Sequence, residues 1–390
     1  MPPEKRPKLL FVVTEDWYFC SHRMPQAKAA QSAGYDVVVA TRVAEHGDAI
    51  RRAGFRLIPL RLQRESYSPL QEFQALHELR SIYAEEQPDI AHHVALKPIL
   101  YGSVAALGRK QIRVINAWAG MGFLVASTSF KASIIRSFLT MAFRYLLNRP
   151  GYSVLVQNQD DADLVASRFR VPPGTITVIR GSGVDLASFR PMPEPGGAPM
   201  VLFASRMLWL KGVSEFVTAA EILRGKGVSA RFVLAGDTDE ASPAAVPRAQ
   251  LQAWNRVGAV EWVGWQNDIA EWLGRSTLVC LPSYREGIPK VLLEAAASGR
   301  AIVATDVPGC RDIVRDGENG LLVAVRNAGA LASAIERLLN DPTARRRMAA
   351  RGREIVAQDF GLSKVVEATL ALYARLQPST TSRPAALGRD

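Results

Sequence analysis

The sequence predicts an α/β protein composed of two doubly wound domains, each with a parallel sheet covered by helices. Short and almost continuous apolar runs recur along the 390 residues, separated by longer segments with helical character. Strands of this kind are buried on both faces, which is typical of parallel sheets between layers of helices. A stretch rich in proline and glycine, residues 191–199, has the composition of a linker and divides the apolar runs into two sets.

The first set of apolar runs predicts a domain over residues 1–190. Its helices are expected at Ser21–Ala33, ended by Gly34, and at Pro69–Glu86. Its strands are expected at Leu9–Val13, Asp36–Ala40, Arg56–Leu60, Ile90–Val94, Arg113–Ala117 and Ser153–Gln157.

The second set predicts a domain over residues 200–360. Its strands are expected at Met200–Ala204, Arg231–Ala235, Val260–Val263, Leu278–Leu281, Ala301–Ala304 and Gly320–Val323. A helix follows at Leu362–Leu376, and the tail over residues 377–390 is rich in proline, serine and threonine and is expected to be disordered.

The overall composition indicates a globular protein of the cytoplasm. Apolar residues make up 48% of the chain and charged residues 22%. Its three cysteines show no metal-binding spacing, so we expect buried free thiols in a reducing compartment. The five-residue apolar run Leu9–Val13 is too short for the core of a signal peptide, and no charge-free apolar window reaches membrane-spanning length.

The net charge of +11 is concentrated unevenly along the sequence. Residues 90–159 contain no Asp or Glu but eight Lys or Arg residues. Within this stretch, Phe130–Leu147 alternates large apolar and basic residues, a composition that suits a helix lying on an anionic membrane surface. The alternative is an ordinary surface helix with its apolar side on the core. We expect no nucleic-acid partner, because basic-aromatic patterns and zinc spacings are not visible.

One stretch combines a strand, a tight loop and a helix start with two carboxylates. Gly287 permits a close backbone approach, and Pro289 suits the first position of a helix. The N–H groups of Gly287, Ile288 and Lys290, on either side of Pro289, would then form a positive pole suited to a diphosphate. Glu286 precedes this pole and Glu294 lies inside the helix, so a nucleotide sugar could meet a carboxylate on either side. The alternative is that both glutamates are solvated surface charges.

This stretch carries a family resemblance. Residues Glu286–Glu294, followed by Thr305–Val314, resemble the signature of family 4 retaining glycosyltransferases of the GT-B fold. The similarity is greatest to bacterial members that extend lipid-linked saccharides for capsules, O-antigens (lipopolysaccharide) and glycoproteins. The resemblance implies two Rossmann-like domains facing a cleft, with the helix over residues 361–376 crossing back to the first domain. It also implies transfer of a hexose or N-acetylhexosamine, UDP being the expected nucleotide, to a lipid-linked acceptor at the inner face of the membrane.

The resemblance also suggests roles for residues of the second domain. Arg206 and Lys211 would bracket the diphosphate and offset the charge of the leaving group, so that neither a metal nor a cofactor is expected. The loop at Gln266 would contact the base, and the backbone of Gly309 would approach the sugar. Asp237-Thr238-Asp239 matches the metal motif of the unrelated GT-A enzymes, but it is expected to form a turn after a strand.

The acceptor side departs from the family pattern. The loop after the first strand has no glycine, and Ala119 stands where many members have a histidine. His92 and His93 end a predicted strand, where one is expected to pack and one to face the cleft. We therefore include His93 and Lys97 as candidates, together with Gly183, whose backbone suits a hinge or a close approach to the donor.

Three other functions remain compatible with these motifs. A nucleotide-sugar 2-epimerase would use the same two-domain cleft. A glycosyltransferase with a soluble acceptor would not need the membrane, and a catalytically inactive scaffold would bind the donor without transferring its sugar.

Overall fold

The computed structural model describes residues 6–63, 68–118, 130–240 and 242–377, with only the backbone of residues 130–136. The chain forms two compact units. Unit 1 comprises Met1–Ile179 and Val366–Asp390, and unit 2 comprises Arg180–Val365. The Asp/Glu-free stretch lies in unit 1, and the motif around Glu286 lies in unit 2.

Unit 1 contains a seven-stranded parallel sheet with the order β3-β2-β1-β4-β5-β6-β7. The strands are β1 Lys8–Glu15, β2 Asp36–Arg42, β3 Arg56–Pro59, β4 Ile90–Val94, β5 Arg113–Ala117, β6 Tyr152–Val156 and β7 Ile176–Val178. The helices are α1 Asp16–His22, α2 Met24–Ser32, α3 Gly47–Arg52, α4 Pro69–Glu86, α5 Leu96–Ala105, α6 Phe130–Leu147 and α7 Gln159–Phe169.

Unit 2 contains a six-stranded parallel sheet with the order β10-β9-β8-β11-β12-β13. The strands are β8 Met200–Ala204, β9 Arg231–Ala235, β10 Glu261–Gly264, β11 Leu278–Leu281, β12 Ala301–Thr305 and β13 Gly320–Val323. The helices are α8 Val213–Gly225, α9 Arg248–Arg256, α10 Ile269–Arg275, α11 Lys290–Ala297, α12 Cys310–Ile313, α13 Ala328–Asn340, α14 Pro342–Asp359 and α15 Leu362–Leu376, whose later residues belong to unit 1.

Both sheets follow the doubly wound pattern that the sequence predicts. The central strands are buried along their whole length, for example all five residues of β8 and of β12. Continuous apolar strands satisfy both faces of a parallel sheet, because helices cover each face. The strand order reverses between β1 and β4 in unit 1 and between β8 and β11 in unit 2. Loops that follow the carboxyl ends of these strands are the usual location of a ligand site in such sheets.

The structure corrects several predicted elements. The single helix expected at Ser21–Ala33 is two helices, α1 and α2, separated at Arg23. The sequence patterns did not reveal α3, α5, α7 or the short strand β7. Cys280 and Cys310 are buried free thiols as expected, but Cys20 is only half-buried.

The observed boundary between the units also differs from the predicted one. Unit 2 begins at Arg180, not after the proline-rich stretch 191–199. Val184 explains the earlier boundary: its N–H donates to the carbonyl of Phe360, and its carbonyl accepts from Leu362 N–H. The proline-rich stretch itself is held to unit 2, because Glu194 accepts two hydrogen bonds from the Arg345 guanidinium at 2.9 and 2.8 Å.

Among the helices that the structure describes, none combines the length and apolarity needed to cross a bilayer. The helix predicted over Phe130–Leu147 is present as α6 with the same bounds. The predicted disordered tail, apart from Gln377, and the loop containing Ala119 lie outside the described residues.

Candidate active site

The candidate site in unit 2 is built from the loops that follow β8 and β11. These two strands are neighbours in the sheet, so their carboxyl ends meet at the same edge. The N–H of Tyr284 donates to the carbonyl of Leu210 at 2.9 Å, which ties the two loops together. Gly212 allows this contact, since its φ is +75° and an added Cβ would lie 2.1 Å from the Pro282 carbonyl oxygen.

The two loops bring a cation and a carboxylate into direct contact. Lys211 Nζ lies 2.5 Å from Glu286 Oε1. The Ser283 hydroxyl donates to the same carboxylate oxygen at 2.6 Å. The Glu286 side chain is only 9% exposed, so its charge is held in place and largely shielded from bulk water. The sequence predicted Lys211 and Glu286 for this site but did not identify Ser283.

Helix α11 begins beside this pair and carries the second glutamate. Pro289 is the residue before the first helical turn, with φ −71° and ψ 114°, so α11 starts one residue later than predicted. Glu294 is buried, and its carboxylate lies 3.0 Å from Lys290 Nζ. Burial raises the pKa of the Glu294 carboxyl, while the nearby Lys290 charge opposes that shift. A buried acceptor one turn inside a helix can bind a hydroxyl that reaches into the site.

The second predicted cation, Arg206, lies in the loop after β8. Its Nη1 donates to Asp239 Oδ2 at 2.7 Å, and both side chains are half-buried. Asp237, the other carboxylate of the Asp-x-Asp sequence, forms an ion pair with Arg248 at 2.8 Å. The sequence follows β9 as predicted, although residues 237–239 themselves are not in a turn. Within the described part of the chain, no three or more His, Cys, Asp or Glu side chains are grouped to bind a metal ion.

Gly309 holds the loop after β12 against the Glu286 loop. Its φ is +82°, and an added Cβ would lie 1.9 Å from the carbonyl oxygen of Gly287. The N–H of Gly309 donates to Asp312 Oδ2 at 3.0 Å. The backbone N–H proposed to approach a sugar is therefore already engaged, and the observed role of Gly309 is to allow close packing of the two loops.

The Gln266 side chain, in the loop after β10, makes two hydrogen bonds. The Gln266 amide donates to the Val263 carbonyl at 2.6 Å and accepts from the Trp272 indole at 2.9 Å. The adjacent Trp265 is 65% exposed. This loop lies at the outer end of the sheet order, beside β9.

His93 does not fit the role expected from the sequence. His92 and His93 are both fully buried, so the expectation that one of them faces a cleft is wrong. The Tyr83 hydroxyl lies 2.5 Å from Nε2 of His93, and Asn116 Oδ1 lies 2.9 Å from its Nδ1. Burial lowers the pKa of His93 to about 4, which is unsuitable for a proton acceptor at neutral pH. The place of His93 near the end of a strand suggested a functional role, but both faces of β4 are buried.

Lys97 and Gly183 are also engaged within their own units. Lys97 Nζ forms an ion pair with Glu72 at 2.6 Å and donates to the Gln63 carbonyl at 2.8 Å, which connects α5 to α4. Gly183 has φ +77°, and an added Cβ would lie 2.8 Å from Leu362 Cα. The predicted close approach at Gly183 is therefore present, but its partner is the start of α15.

Comparisons with known proteins agree with the two-domain organisation. A glycosyl transferase 4-like family model matches residues 8–157, and a glycosyl transferases group 1 model matches residues 198–341. The N,N'-diacetylbacillosaminyl-diphospho-undecaprenol alpha-1,3-N-acetylgalactosaminyltransferase of Campylobacter jejuni is 29% identical, over 91% of this chain and 95% of the relative. The putative glycosyltransferase EpsD of Bacillus subtilis is 25% identical, over 94% of this chain and 96% of the relative.

Solved structures show the same fold. Sucrose-phosphate synthase from Thermosynechococcus elongatus matches with a TM-score of 0.77 and 22% identity, over 95% of this chain and 99% of that chain. The HepE protein of Anabaena, solved with UDP and glucose, matches with a TM-score of 0.75 and 16% identity, over 95% of this chain and all of that chain. The chain is therefore a glycosyltransferase with the GT-B fold, whose two units match in order a glycosyl transferase 4-like model and a glycosyl transferases group 1 model.

Proposed function

We propose that this enzyme transfers a hexose or N-acetylhexosamine from a nucleoside-diphosphate sugar, with UDP as the nucleotide, to a lipid-linked saccharide in cell-surface glycan synthesis. The observation that carries the proposal is the contact of Lys211 with Glu286 beside the first turn of α11. A cation, a shielded carboxylate and a helix N-terminus at one sheet edge suit a diphosphate joined to a hydroxyl-rich group.

Each part of the donor has a proposed partner in unit 2. Arg206, Lys211 and the N–H groups of Gly287, Ile288 and Lys290 bind the diphosphate, and Glu286 accepts hydrogen bonds from the sugar hydroxyls. Glu294 accepts from the ribose, which fits its buried carboxylate within α11. The Gln266 loop provides backbone groups for the base.

The proposed reaction retains the anomeric configuration of the sugar. The acceptor oxygen bonds to the anomeric carbon on the face from which the diphosphate leaves, and the bond from that carbon to the diphosphate oxygen breaks. The released oxygen takes the proton of the acceptor hydroxyl, so that no separate base is needed. Arg206 and Lys211 stabilise the negative charge that grows on the leaving diphosphate, and Glu286 stabilises the positive charge that grows on the sugar.

We further propose that the two cations replace a metal ion. Support comes from Asp237, one carboxylate of the metal-like sequence, which is paired with Arg248. Transfer rates measured in EDTA and after addition of Mg²⁺ or Mn²⁺ are expected to agree. A loss of turnover in EDTA that Mn²⁺ restores would contradict this part of the proposal.

The acceptor and the membrane are proposed together. The Campylobacter jejuni relative is named for an undecaprenol-linked substrate, and the present chain has an Asp/Glu-free stretch that includes α6. Phe138, Met141 and Tyr145 of α6 are 67%, 62% and 57% exposed, and their spacing places them on one side of the helix. Phe143 and Leu146 are buried, so α6 is apolar towards the core and also towards the outside. This combination favours contact with a membrane over the ordinary surface helix.

The membrane contact can be tested apart from the chemistry. Replacement of Phe138, Met141 and Tyr145 by Ser is expected to reduce co-sedimentation with vesicles containing phosphatidylglycerol by about tenfold, because three exposed apolar side chains are lost. Val257→Ser is the matched control, since Val257 is 65% exposed in unit 2. Equal sedimentation of the triple variant and the wild type would exclude α6 as the contact.

The transfer reaction itself is tested with a donor panel. Purified enzyme is incubated with UDP-, GDP- and dTDP-sugars and a bacterial membrane lipid extract, and mass spectrometry measures lipids lengthened by one sugar. NMR of the product then gives the anomeric configuration, which is expected to match that of the donor. Lengthening of soluble saccharides alone would show that the acceptor is a soluble saccharide and not a lipid. Formation of an epimerised nucleotide sugar from the donor alone would indicate an isomerase.

A further inference from the structure

Both cations of the proposed diphosphate site, and also Lys290 in the first turn of α11, have a carboxylate partner within unit 2. Lys211 is paired with Glu286 at 2.5 Å and Lys290 with Glu294 at 3.0 Å. These two carboxylates have proposed roles towards the sugar and the ribose. Arg206 is paired with Asp239 at 2.7 Å, and Asp239 has no role towards the donor in the proposed reaction.

The structure holds Asp239 at this position through its loop. The loop begins at Gly236, whose φ is +136° and where an added Cβ would lie 1.9 Å from the Ser205 carbonyl oxygen. The N–H of Met207 donates to the Asp237 carbonyl at 3.0 Å, and the Asp239 carbonyl accepts from Ser242 N–H at 2.7 Å. Ser205 and Met207, on either side of Arg206, thus both meet the start of the Asp239 loop, so the ion pair joins two loops that are already in contact.

A carboxylate and a phosphate compete for the same guanidinium donors. Both anions accept N–H groups from one edge of an arginine with similar geometry. Arg206 Nη1 points to Asp239 Oδ2, and both side chains retain enough exposure, 33% and 25%, for a ligand to reach them.

We propose that Asp239 is an internal competitor for Arg206 that weakens binding of the nucleoside diphosphate and so speeds its release after transfer. This inference rests on the proposed binding of the donor diphosphate by Arg206. When a donor binds, Arg206 exchanges the Asp239 carboxylate for a phosphate oxygen. When the nucleoside diphosphate leaves, Asp239 returns to Arg206. The affinity of the site for phosphate is therefore set partly by a residue that does not contact the reacting atoms.

The test compares three variants by calorimetric titration with UDP and with GDP. Asp239→Asn keeps the size of the side chain and removes the competing charge. The titration uses whichever of UDP and GDP binds the wild type more tightly. For that nucleotide, Asp239→Asn is expected to lower the dissociation constant about two- to fivefold, the range expected for loss of a partly exposed ion pair. Asp237→Asn is the matched control, because Asp237 pairs with Arg248 and keeps an oxygen for the Thr238 N–H. Arg206→Ala tests the underlying site.

The outcomes separate the inference from the proposed function. Tighter binding to Asp239→Asn, unchanged binding to Asp237→Asn and weaker binding to Arg206→Ala support the competition. In that case the added nucleotide also inhibits the steady-state turnover of Asp239→Asn more strongly than that of the wild type. Unchanged or weaker binding to Asp239→Asn, with Arg206→Ala still impaired, overturns the inference alone. Normal binding to Arg206→Ala, or no binding of either nucleotide to the wild type, overturns the proposed diphosphate site and the inference with it.

Discussion

Glu286 offers the most direct test of the proposed reaction. Glu286→Gln keeps the length of the side chain and an oxygen that can accept from the Ser283 hydroxyl, which now lies 2.6 Å away. The substitution removes the negative charge 2.5 Å from Lys211 Nζ. In the proposed transition state, this charge faces the positive charge that grows on the sugar, so its loss affects the reaction more than the fold.

The expected effects of Glu286→Gln on stability and on turnover differ in size. The ion pair is partly buried, with side-chain exposures of 9% and 22%. Its loss is expected to destabilise unit 2 by about 1–2 kcal/mol, or roughly 2–8 °C in the melting temperature for a domain of this size. Removal of one preorganised group from a transition state typically costs a factor of about 10²–10³ in kcat, or about 2.7–4 kcal/mol. Turnover is therefore expected to fall far more than stability at 25 °C.

The assay measures kcat for lipid lengthening and the melting temperature on the same preparations. Glu261→Gln is the control: this glutamate forms an ion pair with Arg231 at 2.7 Å in the same unit. It is expected to lower the melting temperature slightly and to leave kcat unchanged. A kcat for Glu286→Gln within threefold of the wild type, at normal nucleotide affinity, would remove Glu286 from the mechanism.

Three further substitutions test the site and the fold of unit 2. Glu294→Gln is expected to raise the dissociation constant of UDP about tenfold in calorimetry. Because burial raises the pKa of Glu294, its ionised form destabilises the fold. The melting temperature of Glu294→Gln is thus expected to exceed that of the wild type at pH 7.5. The difference is expected to disappear as the pH falls and the wild-type carboxyl becomes protonated. A lower melting temperature for the variant at pH 7.5 would refute this. Glu194→Gln is expected to cost about 1–3 kcal/mol in urea unfolding, since it leaves the buried Arg345 charge without its partner. Hydrogen bonds from Arg345 lower the pKa of Glu194, so this cost in stability is expected to decrease only at pH values below the usual pKa range of glutamate. A cost that is undiminished at pH 3 would contradict this prediction. Gly309→Ala is expected to cost about 2 kcal/mol or more and to reduce kcat, since its Cβ would meet the Gly287 carbonyl; normal melting and turnover would show that the loop tolerates a side chain.

The sequence was sufficient for the architecture because its strongest signals are local. A fully buried parallel strand must be apolar along its whole length, and β8, β9, β11 and β13 lie within the residues predicted for them. The short elements α3 and β7 were missed, since a few residues give too little periodicity to identify. The boundary at Arg180 was missed for another reason: the pairing of Val184 with Phe360 and Leu362 joins segments far apart in the chain.

The sequence was less informative about the site, because it reveals residues but not their partners. Glu286 and Lys211 were predicted as site residues from their motifs, yet their mutual contact depends on β8 and β11 being neighbours in the sheet. His93 shows the opposite error. Its place at the end of a strand predicted exposure, but Tyr83 and Asn116 enclose the ring and satisfy both nitrogens.

The Asp-x-Asp sequence shows how topology decides the chemistry of a motif. The same three residues could bind a metal if their carboxylates converged with other acidic side chains. Here β9 lies next to β8, so the loop after β9 meets the loop that carries Arg206, and Asp239 pairs with a guanidinium instead. A carboxylate that pairs with an arginine is a ready competitor for a phosphate. In the proposed competition for Arg206, the strand order of unit 2 thus places a metal-like sequence where it tunes nucleotide affinity.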